Sequence, residues 1–501
     1  MHALAVLYGG SLSGAAFEPL PSGKNTLALA LERVRLFPGV EKLVLLSGEK
    51  PAGLPGGIES RPVRTKKQLL QTLAELSQGF DCTYYAWADC PLLDPVLAEK
   101  IARRHLRYNA EYSYADGWPY GLAPELIAPG TAGILANILG DDDQGPVERD
   151  ALFSVIQRDI NAFDIETEIS ALDLRVYRLS LTADSRRNHL LLSRLIGAGL
   201  SSAADAEHLI PARPELLRTL PAFYTVQAAG PCPQSCSLCP YPRFGAGSKD
   251  FLAPGRFAEL LDKICAFSGD AVIDLSLWGE LSLHPQKMEL IAAILDRPAL
   301  SGLIETSGLG WKKAELEALA DAAKGAAPRE NRMAPLSWIV SLDAADSKRY
   351  REIRGPGFAE AVDSAKTLTA LFPKDSYVQA VRVKGAEDDI EQFYRSWKDA
   401  GAELIIQKYD DFCGAMPKLQ ATDLSPVRRR PCWHLMRDMA ILIDGRVPLC
   451  RETLDGQILG NAFTEDLETI WSRGESFYRE QCSLQYGGLC GGCDEYYTYN
   501  F

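Results

Sequence analysis

The chain has 501 residues, 47% of them hydrophobic and 24% charged. That composition suits a globular protein of about three domains and excludes a disordered chain, a collagen-like repeat or a small disulfide-stapled scaffold. A net charge of −13 disfavours broad nucleic-acid binding, and no apolar run reaches the about 20 residues that a bilayer requires.

The start, MHALAVLYGG, has neither a basic n-region nor a cleavage site. It reads as a buried first strand running into a glycine turn, and the expected location is the cytoplasm. Strand patterns at 3–8, 40–48 and 82–90 alternate with helical patterns at 25–37, 65–76 and from 91 onward. This alternation predicts a mostly parallel α/β sheet. The stretch 126–165 is weakly patterned, and VYRLSLTADS (176–185) predicts a further strand before a helix at 189–199. A boundary is expected at 200–220, where short polar residues, alanine and proline accumulate. From 222 a second series follows, with strands in FYTVQAAG, AVIDLSLWG, LIETSG, SWIVSLDA, YVQAVRVK and ELIIQKY. Six such units predict an incomplete (β/α) barrel, whose site belongs at the C-terminal ends of the strands. Beyond about 420 the tail predicts a hairpin, MAILIDGRVPLC, turning at Asp444-Gly445, and a helix in DLETIWSRG. The tail is short of apolar residues, so a metal cluster is expected to help hold it. The expected domains are 1–205, 218–418 and 425–501.

The chain holds 12 cysteines. Cytoplasmic chains hold few structural disulfides, so clustered thiols point to metal or redox chemistry. Cys232, Cys236 and Cys239 fall within eight residues directly after the strand FYTVQAA. Three thiolates wrapped on one ion or cluster explain that spacing. Structural zinc wants four protein ligands and no nearby histidine supplies the fourth, whereas a [4Fe–4S] cluster on three cysteines leaves one iron open. Cys432, Cys450, Cys482, Cys490 and Cys493 crowd the tail, while Cys82, Cys90, Cys265 and Cys413 are scattered.

CPQSCSLC (232–239) resembles the CxxxCxxC signature of the radical SAM superfamily. The resemblance implies that the open iron chelates S-adenosylmethionine, whose reductive cleavage yields a 5′-deoxyadenosyl radical. LWGELSLHP (277–285) is similar to the family's GGE-type motif, which makes Gly279 and Glu280 contacts to the methionyl amino group, with a solvated loop carboxylate as the bland alternative for Glu280. VSLDAADSKRYREIRG (340–355) is similar to a stretch common among radical SAM proteins that modify peptides. It makes Ser341 and Asp343 candidate cofactor contacts, with a helix N-cap as the alternative for Asp343. Arg382 and Asp410 lie at later strand ends, where they either line a substrate cavity or form surface ion pairs.

The tail resembles the SPASM extension. Twelve residues separate Cys432 from Gly445 and four more lead to Cys450, and ILGNAFTEDLETIW and Cys490-x2-Cys493 complete the likeness. It implies one auxiliary [4Fe–4S] cluster on Cys432, Cys450, Cys490 and Cys493, with zinc on the same four open. Cys482 is surplus, either a buried hydrophobe or a substitute ligand.

ALAVLYGGSLSG, SGKNTLALALERV, YYAWADCPLLDP and RLSLTADSRRN look like the ordered motifs of cytidylyltransferase-type nucleotidyltransferases. The resemblance makes Gly9, Gly10 and Lys24 triphosphate contacts, and Asp89 and Asp184 Mg²⁺ ligands. The family's arginine in the glycine-rich loop has no counterpart between Gly10 and Lys24, and the acidic positions after Asp184 are Arg186, Arg187 and Asn188. A working transferase and a degenerate domain that binds a nucleotide, sugar or partner both stay open.

The combination resembles the spiro-SPASM family. It implies radical chemistry on a peptide or protein side chain, with an electron donor such as a flavodoxin or ferredoxin. The alternatives are oxidation or epimerisation of a sugar or nucleotide linked to the N-terminal domain, and a non-catalytic iron–sulfur scaffold or redox sensor.

Overall fold

The computed structural model describes residues 1–498 apart from 11, 50–53, 55, 141–142, 242–248 and 454–455. The chain divides into two compact units, Met1–Leu216 and Leu217–Phe501. No helix of the described residues is long and apolar enough to cross a membrane.

Among the described residues, the first unit's sheet runs β3-β2-β1-β4-β6-β5-β7. Its strands are β1 (Ala3–Gly10), β2 (Val40–Ser47), β3 (Glu59–Pro62), β4 (Cys82–Trp87), β5 (Tyr112–Asp116), β6 (Glu125–Ile127) and β7 (Ile165–Ile169). The first four pair in parallel, and β6 lies antiparallel between β4 and β5. β1 and β4 are buried along almost their whole length, as strands covered on both faces must be. Helix Lys66–Leu76 opens with a capping box between Thr65 and Gln68. Asp94 caps helix Pro95–Tyr108. The strand expected at 176–185 is absent: Leu174–Tyr177 is a 3-10 turn. The following residues spend their backbone on neighbouring loops, with Leu181 N donating to Tyr120 O and Ala183 N to Asp89 O. The last strand comes instead from Ile165–Ile169, whose acidic alternation hid it.

In the second unit all six expected strands are present: β8 (Phe223–Val226), β9 (Ala271–Asp274), β10 (Leu300–Thr306), β11 (Leu336–Ser341), β12 (Ser376–Arg382) and β13 (Glu403–Lys408). They form one parallel sheet ordered β13-β12-β11-β10-β9-β8-β14. The seventh strand, β14 (Asp438–Ile441), comes from the tail and pairs in parallel with β8. The described residues from 217 onward therefore form one unit, because the tail is built into the barrel's own sheet. The expected hairpin divides at its turn. β15 (Arg446–Pro448) leaves β14 and pairs antiparallel with β16 (Ile458–Asn461). Gly445 makes that turn with φ +86, and a Cβ there would lie 2.5 Å from Asn461 Oδ1.

The side chains of the barrel strands alternate. One face packs Tyr224, Trp338 and their neighbours against the helices. The other carries an apolar floor of Phe223, Val272, Leu303 and Ile339. Two residues further along each strand the same face turns polar, at Thr225, Asp274, Glu305 and Ser341, with Gln379 on β12 beside them.

Candidate functional site

The loop after β8 carries Cys232, Cys236 and Cys239. Cys239 N donates to Cys236 O at 3.3 Å, which closes the last turn of the loop. The segment after β11 grips it: Ser237 N donates to Ile353 O at 2.8 Å, and Gln234 Nε2 to Tyr350 Oη at 2.8 Å. Arg354 reaches between them, 3.2 Å from Gln234 Oε1 and 3.9 Å from Cys236 Sγ. Burial pushes the Cys236 thiol up and the Cys239 thiol up to about 12, so a bound metal has to supply the charge that would hold them as thiolates at neutral pH.

Asp343 is buried and spent on protein partners. It accepts from Arg354 Nε at 2.6 Å and from Val381 N at 2.8 Å. Its φ of +59 is costly for a non-glycine residue, and these two bonds offset the strain. The residue thus aims Arg354 at the cysteine loop. The helix N-cap is Asp346, whose carboxylate accepts from Lys348 N and Arg349 N.

Gly279 sits at φ +71, where a Cβ would lie 1.9 Å from Ala229 O, so no side chain fits. Glu280 N donates to Pro231 O at 2.9 Å, locking the loop after β9 to the cysteine loop. The Glu280 carboxylate is 5% exposed, which removes the solvated-loop alternative. It accepts from Thr306 Oγ1 at 2.7 Å, Ser307 N at 2.8 Å, Ser307 Oγ at 2.7 Å and Ser282 N at 3.3 Å.

Ser341 belongs to the polar layer inside the barrel. Its hydroxyl donates to Glu305 Oε1 at 2.6 Å, which also accepts from Gln379 Nε2 at 2.8 Å. Asp274 ends β9 in the same layer. Burial, and then the charge of Glu305, push its carboxyl up to about 7. Asp274, Glu305 and Gln379 escaped sequence reasoning, although an acid at the end of an apolar strand run is a readable sign in AVID and LIET. Arg382 is exposed.

In the tail, Cys432, Cys450, Cys490 and Cys493 line one cavity. Cys432 N donates to Gln481 Oε1 at 2.9 Å, and Cys493 Sγ accepts from Glu495 N at 3.3 Å. Arg429 holds the carbonyl of Cys490 and lies over the rings of Tyr486 and Tyr496. A fifth thiol, that of Cys413, lines the same cavity. Its position in an isolated KYDDFCG segment gave no spacing to read. Cys482 packs instead among Leu435, Tyr478 and Tyr496, as a hydrophobe does. Asp410, Asp494 and Glu495 bring carboxylate oxygens within 4.8 Å of one another. Lys408, at the end of β13, bonds both Asp494 and Glu495, and Asp410 lies 3.9 Å from Arg451, so these ion pairs tie the tail to the barrel.

In the first unit, Gly9 and Gly10 end β1. Lys24 is exposed and paired at 2.8 Å with Glu32 of the helix that follows it, Thr26–Val34. Asp89, 1% exposed, and Asp184 are brought together by a residue that sequence reasoning passed over, Arg149.

A family model described as "SPASM: Iron-sulfur cluster-binding domain" matches residues 432–494. An uncharacterized protein of Treponema pallidum (strain Nichols) is 39% identical over 359 residues, 70% of this chain and 98% of the treponemal protein. Among solved structures, Streptococcus suis SuiB bound to precursor peptide SuiA is similar at 14% identity and TM-score 0.44, over 60% of this chain and 77% of that one. A cytidylyltransferase from Leptospira borgpetersenii is similar at 18% identity and TM-score 0.38, over 43% of this chain and 96% of that one. The chain belongs to the family of the treponemal protein, and its residues 432–494 match the SPASM iron–sulfur cluster-binding domain.

Proposed function

We propose that this protein is a radical S-adenosylmethionine enzyme acting on a peptide or protein side chain, with one auxiliary [4Fe–4S] cluster on Cys432, Cys450, Cys490 and Cys493. The observation that carries the reading is the three-cysteine loop, held by Glu280 N on one side and Arg354 on the other, above a polar layer inside a parallel barrel. The residues fit the cofactor. Three thiols on one turn leave a fourth iron position open, and the tail groups four more thiols around one cavity. When bound, the central cluster with S-adenosylmethionine supplies one-electron cleavage of a carbon–sulfur bond and a hydrogen-abstracting radical.

The chain's own residues set the stage. Cys232, Cys236 and Cys239 hold the central cluster, and Arg354 places positive charge beside Cys236 Sγ. Gly279 and Glu280 shape the cofactor pocket: the first lets the backbones cross, and the second ties the loops after β8, β9 and β10 together. Ser341 contributes through its bond to Glu305, and Asp343 through its hold on Arg354. The apolar floor closes one end of the barrel to water, and the layer from Asp274 to Gln379 offers acceptors and donors to a substrate backbone. The peptide class rests on the likeness of 340–355 to peptide-modifying relatives, the cytoplasmic location on the sequence reading, and the electron donor on the need for one low-potential electron per cleavage. The sugar-linked alternative draws no support from Lys24, which faces Glu32.

The test is anaerobic. Protein reconstituted with iron and sulfide is given S-adenosylmethionine and a strong reductant, and 5′-deoxyadenosine is measured beside a Cys236→Ala variant. Formation by the parent and not by the variant is expected. A parent that loads iron at the central cysteines yet forms none overturns the reading and leaves a scaffold or sensor.

A further inference from the structure

The loop after β4 delivers Asp89 to the C-terminal edge of the first unit's sheet, and Ala183 N ties the Asp184 loop to it through Asp89 O at 2.9 Å. Two carboxylates side by side at such an edge suit a divalent cation, which prefers oxygen ligands. Here the carboxylates already hold a cation. Arg149 Nη1 donates to Asp89 Oδ1 at 2.7 Å, and Nη2 donates to Asp89 Oδ2 at 2.6 Å and to Asp184 Oδ2 at 2.9 Å. The fourth oxygen, Asp184 Oδ1, accepts from Asn188 Nδ2 at 2.8 Å. The guanidinium also lies 4.1 Å from the Trp87 ring and 5.3 Å from that of Tyr120, so aromatic faces hold it from the other side.

Every oxygen that would ligate Mg²⁺ therefore has a hydrogen-bond donor on it. A bidentate, stacked arginine is an arrangement that a hydrated ion does not displace cheaply. The Mg²⁺ site implied by the nucleotidyltransferase resemblance does not fit these residues. Lys24, the expected phosphate contact, is paired with Glu32 instead.

We infer that Arg149 is the resident cation of this site: it cross-links the Asp89, 145–152 and Asp184 loops, and the N-terminal unit works without a divalent metal and is not a metal-dependent nucleotidyltransferase. This inference is independent of the radical chemistry proposed above.

The test uses the full, cluster-loaded chain with Mn²⁺ as the probe, read by the free-ion electron paramagnetic resonance signal with and without CTP. The parent and Asp89→Asn are expected to bind Mn²⁺ alike under both conditions. Arg149→Leu and Arg149→Gln uncover the carboxylates, and a gain of at least about tenfold in Mn²⁺ affinity is expected, lost again when Asp89→Asn is added. Two variants are used because one that fails to fold still leaves the other, and the comparison of the parent with Asp89→Asn needs neither. Mn²⁺ binding by the parent that weakens at least about tenfold in Asp89→Asn overturns the inference. So does a folded Arg149 variant with no gain.

Discussion

Two sites in this chain sit after parallel strands, and each has an arginine held by a buried aspartate, with opposite consequences. Beside the central cysteines, Arg354 is anchored by Asp343 at 2.6 Å and meets the loop at Cys236 Sγ only at the longer distance of 3.9 Å. In the first unit, Arg149 lies on the carboxylates themselves and covers three of their four oxygens. The difference teaches a rule for reading such sites. An arginine near candidate ligands supports a site when it is satisfied elsewhere, and it replaces the ligand when the candidate atoms are its own partners. Counting donor atoms left unspent separates the two cases, where residue types alone do not.

Breaking the first arrangement has the largest expected effect. Arg354→Met strands Asp343 in the interior with a single backbone donor, and removing one partner of a buried pair costs about 3–5 kcal/mol. The midpoint of chemical unfolding, followed by cluster absorbance under anaerobic conditions, measures it. Arg354→Lys keeps the charge but not the fork that spans Asp343 and Gln234, so a smaller loss is expected. An unchanged midpoint in Arg354→Met would mean that the aspartate does not need its partner, and the parallel between the two arginines would fail.

The second effect is on pH dependence, and it tests the polar layer that sits under the cysteine loop. Burial pushes the Asp274 carboxyl from an ordinary 3.8 up to about 7, with the hydrogen bonds from Ser276 opposing, the charge of Glu305 adding to the rise and Arg451 opposing less. A raised acid pKa means that the folded state binds the proton more tightly than the unfolded one. Stability is therefore lost as pH rises from about 4 to about 7, and the loss is complete above that window. Asp274→Asn keeps an oxygen to accept from Ser276 N and removes the titration. The variant is expected to match the parent near pH 4 and to exceed it by about 4 kcal/mol at pH 8. A parent and variant whose unfolding midpoints run parallel across that range would show that Asp274 is ionised at little cost.

The contrast also explains what could be read from sequence. The six barrel strands and the CxxxCxxC loop are local patterns, with periods of two residues or spacings of three and four, and each appeared where expected. The spacing from Cys432 through Gly445 to Cys450 was legible for the same reason. What escaped depends on partners far along the chain. Arg149 meets Asp89 from 60 residues away, and Gln379 meets Glu305 from 74. β14 joins β8 across more than two hundred residues, so the tail's docking into the barrel sheet left no local mark. The strand mislaid at 176–185 failed differently. Its apolar alternation is real, but its backbone groups bond to the Asp89 and Tyr120 loops.

Cys413 gives the finest test of the counting rule, because the tail cavity offers five thiols where a [4Fe–4S] cluster takes four. Its thiol shares that cavity with Cys493, and we expect it to act as Arg354 does, as a hydrogen-bond donor beside the proposed ligands and not as one of them. A hydrogen bond to a cluster sulfur stabilises the reduced state, whose sulfurs carry more negative charge. Cys413→Ala is therefore expected to leave iron content unchanged and to lower the auxiliary potential by on the order of tens of millivolts. The measurement is a redox titration of the auxiliary signal in a background with Cys232, Cys236 and Cys239 replaced by alanine. Cys482→Ser, at a residue packed against the cluster of Leu435, Tyr478 and Tyr496 and not among those lining the cavity, is expected to change neither iron nor potential. If Cys413→Ala instead sheds the cluster while Cys490→Ala or Cys432→Ala retains it, the fifth thiol is a ligand, and its place beside Cys493 in the cavity marks a shared metal position, not a donor beside one.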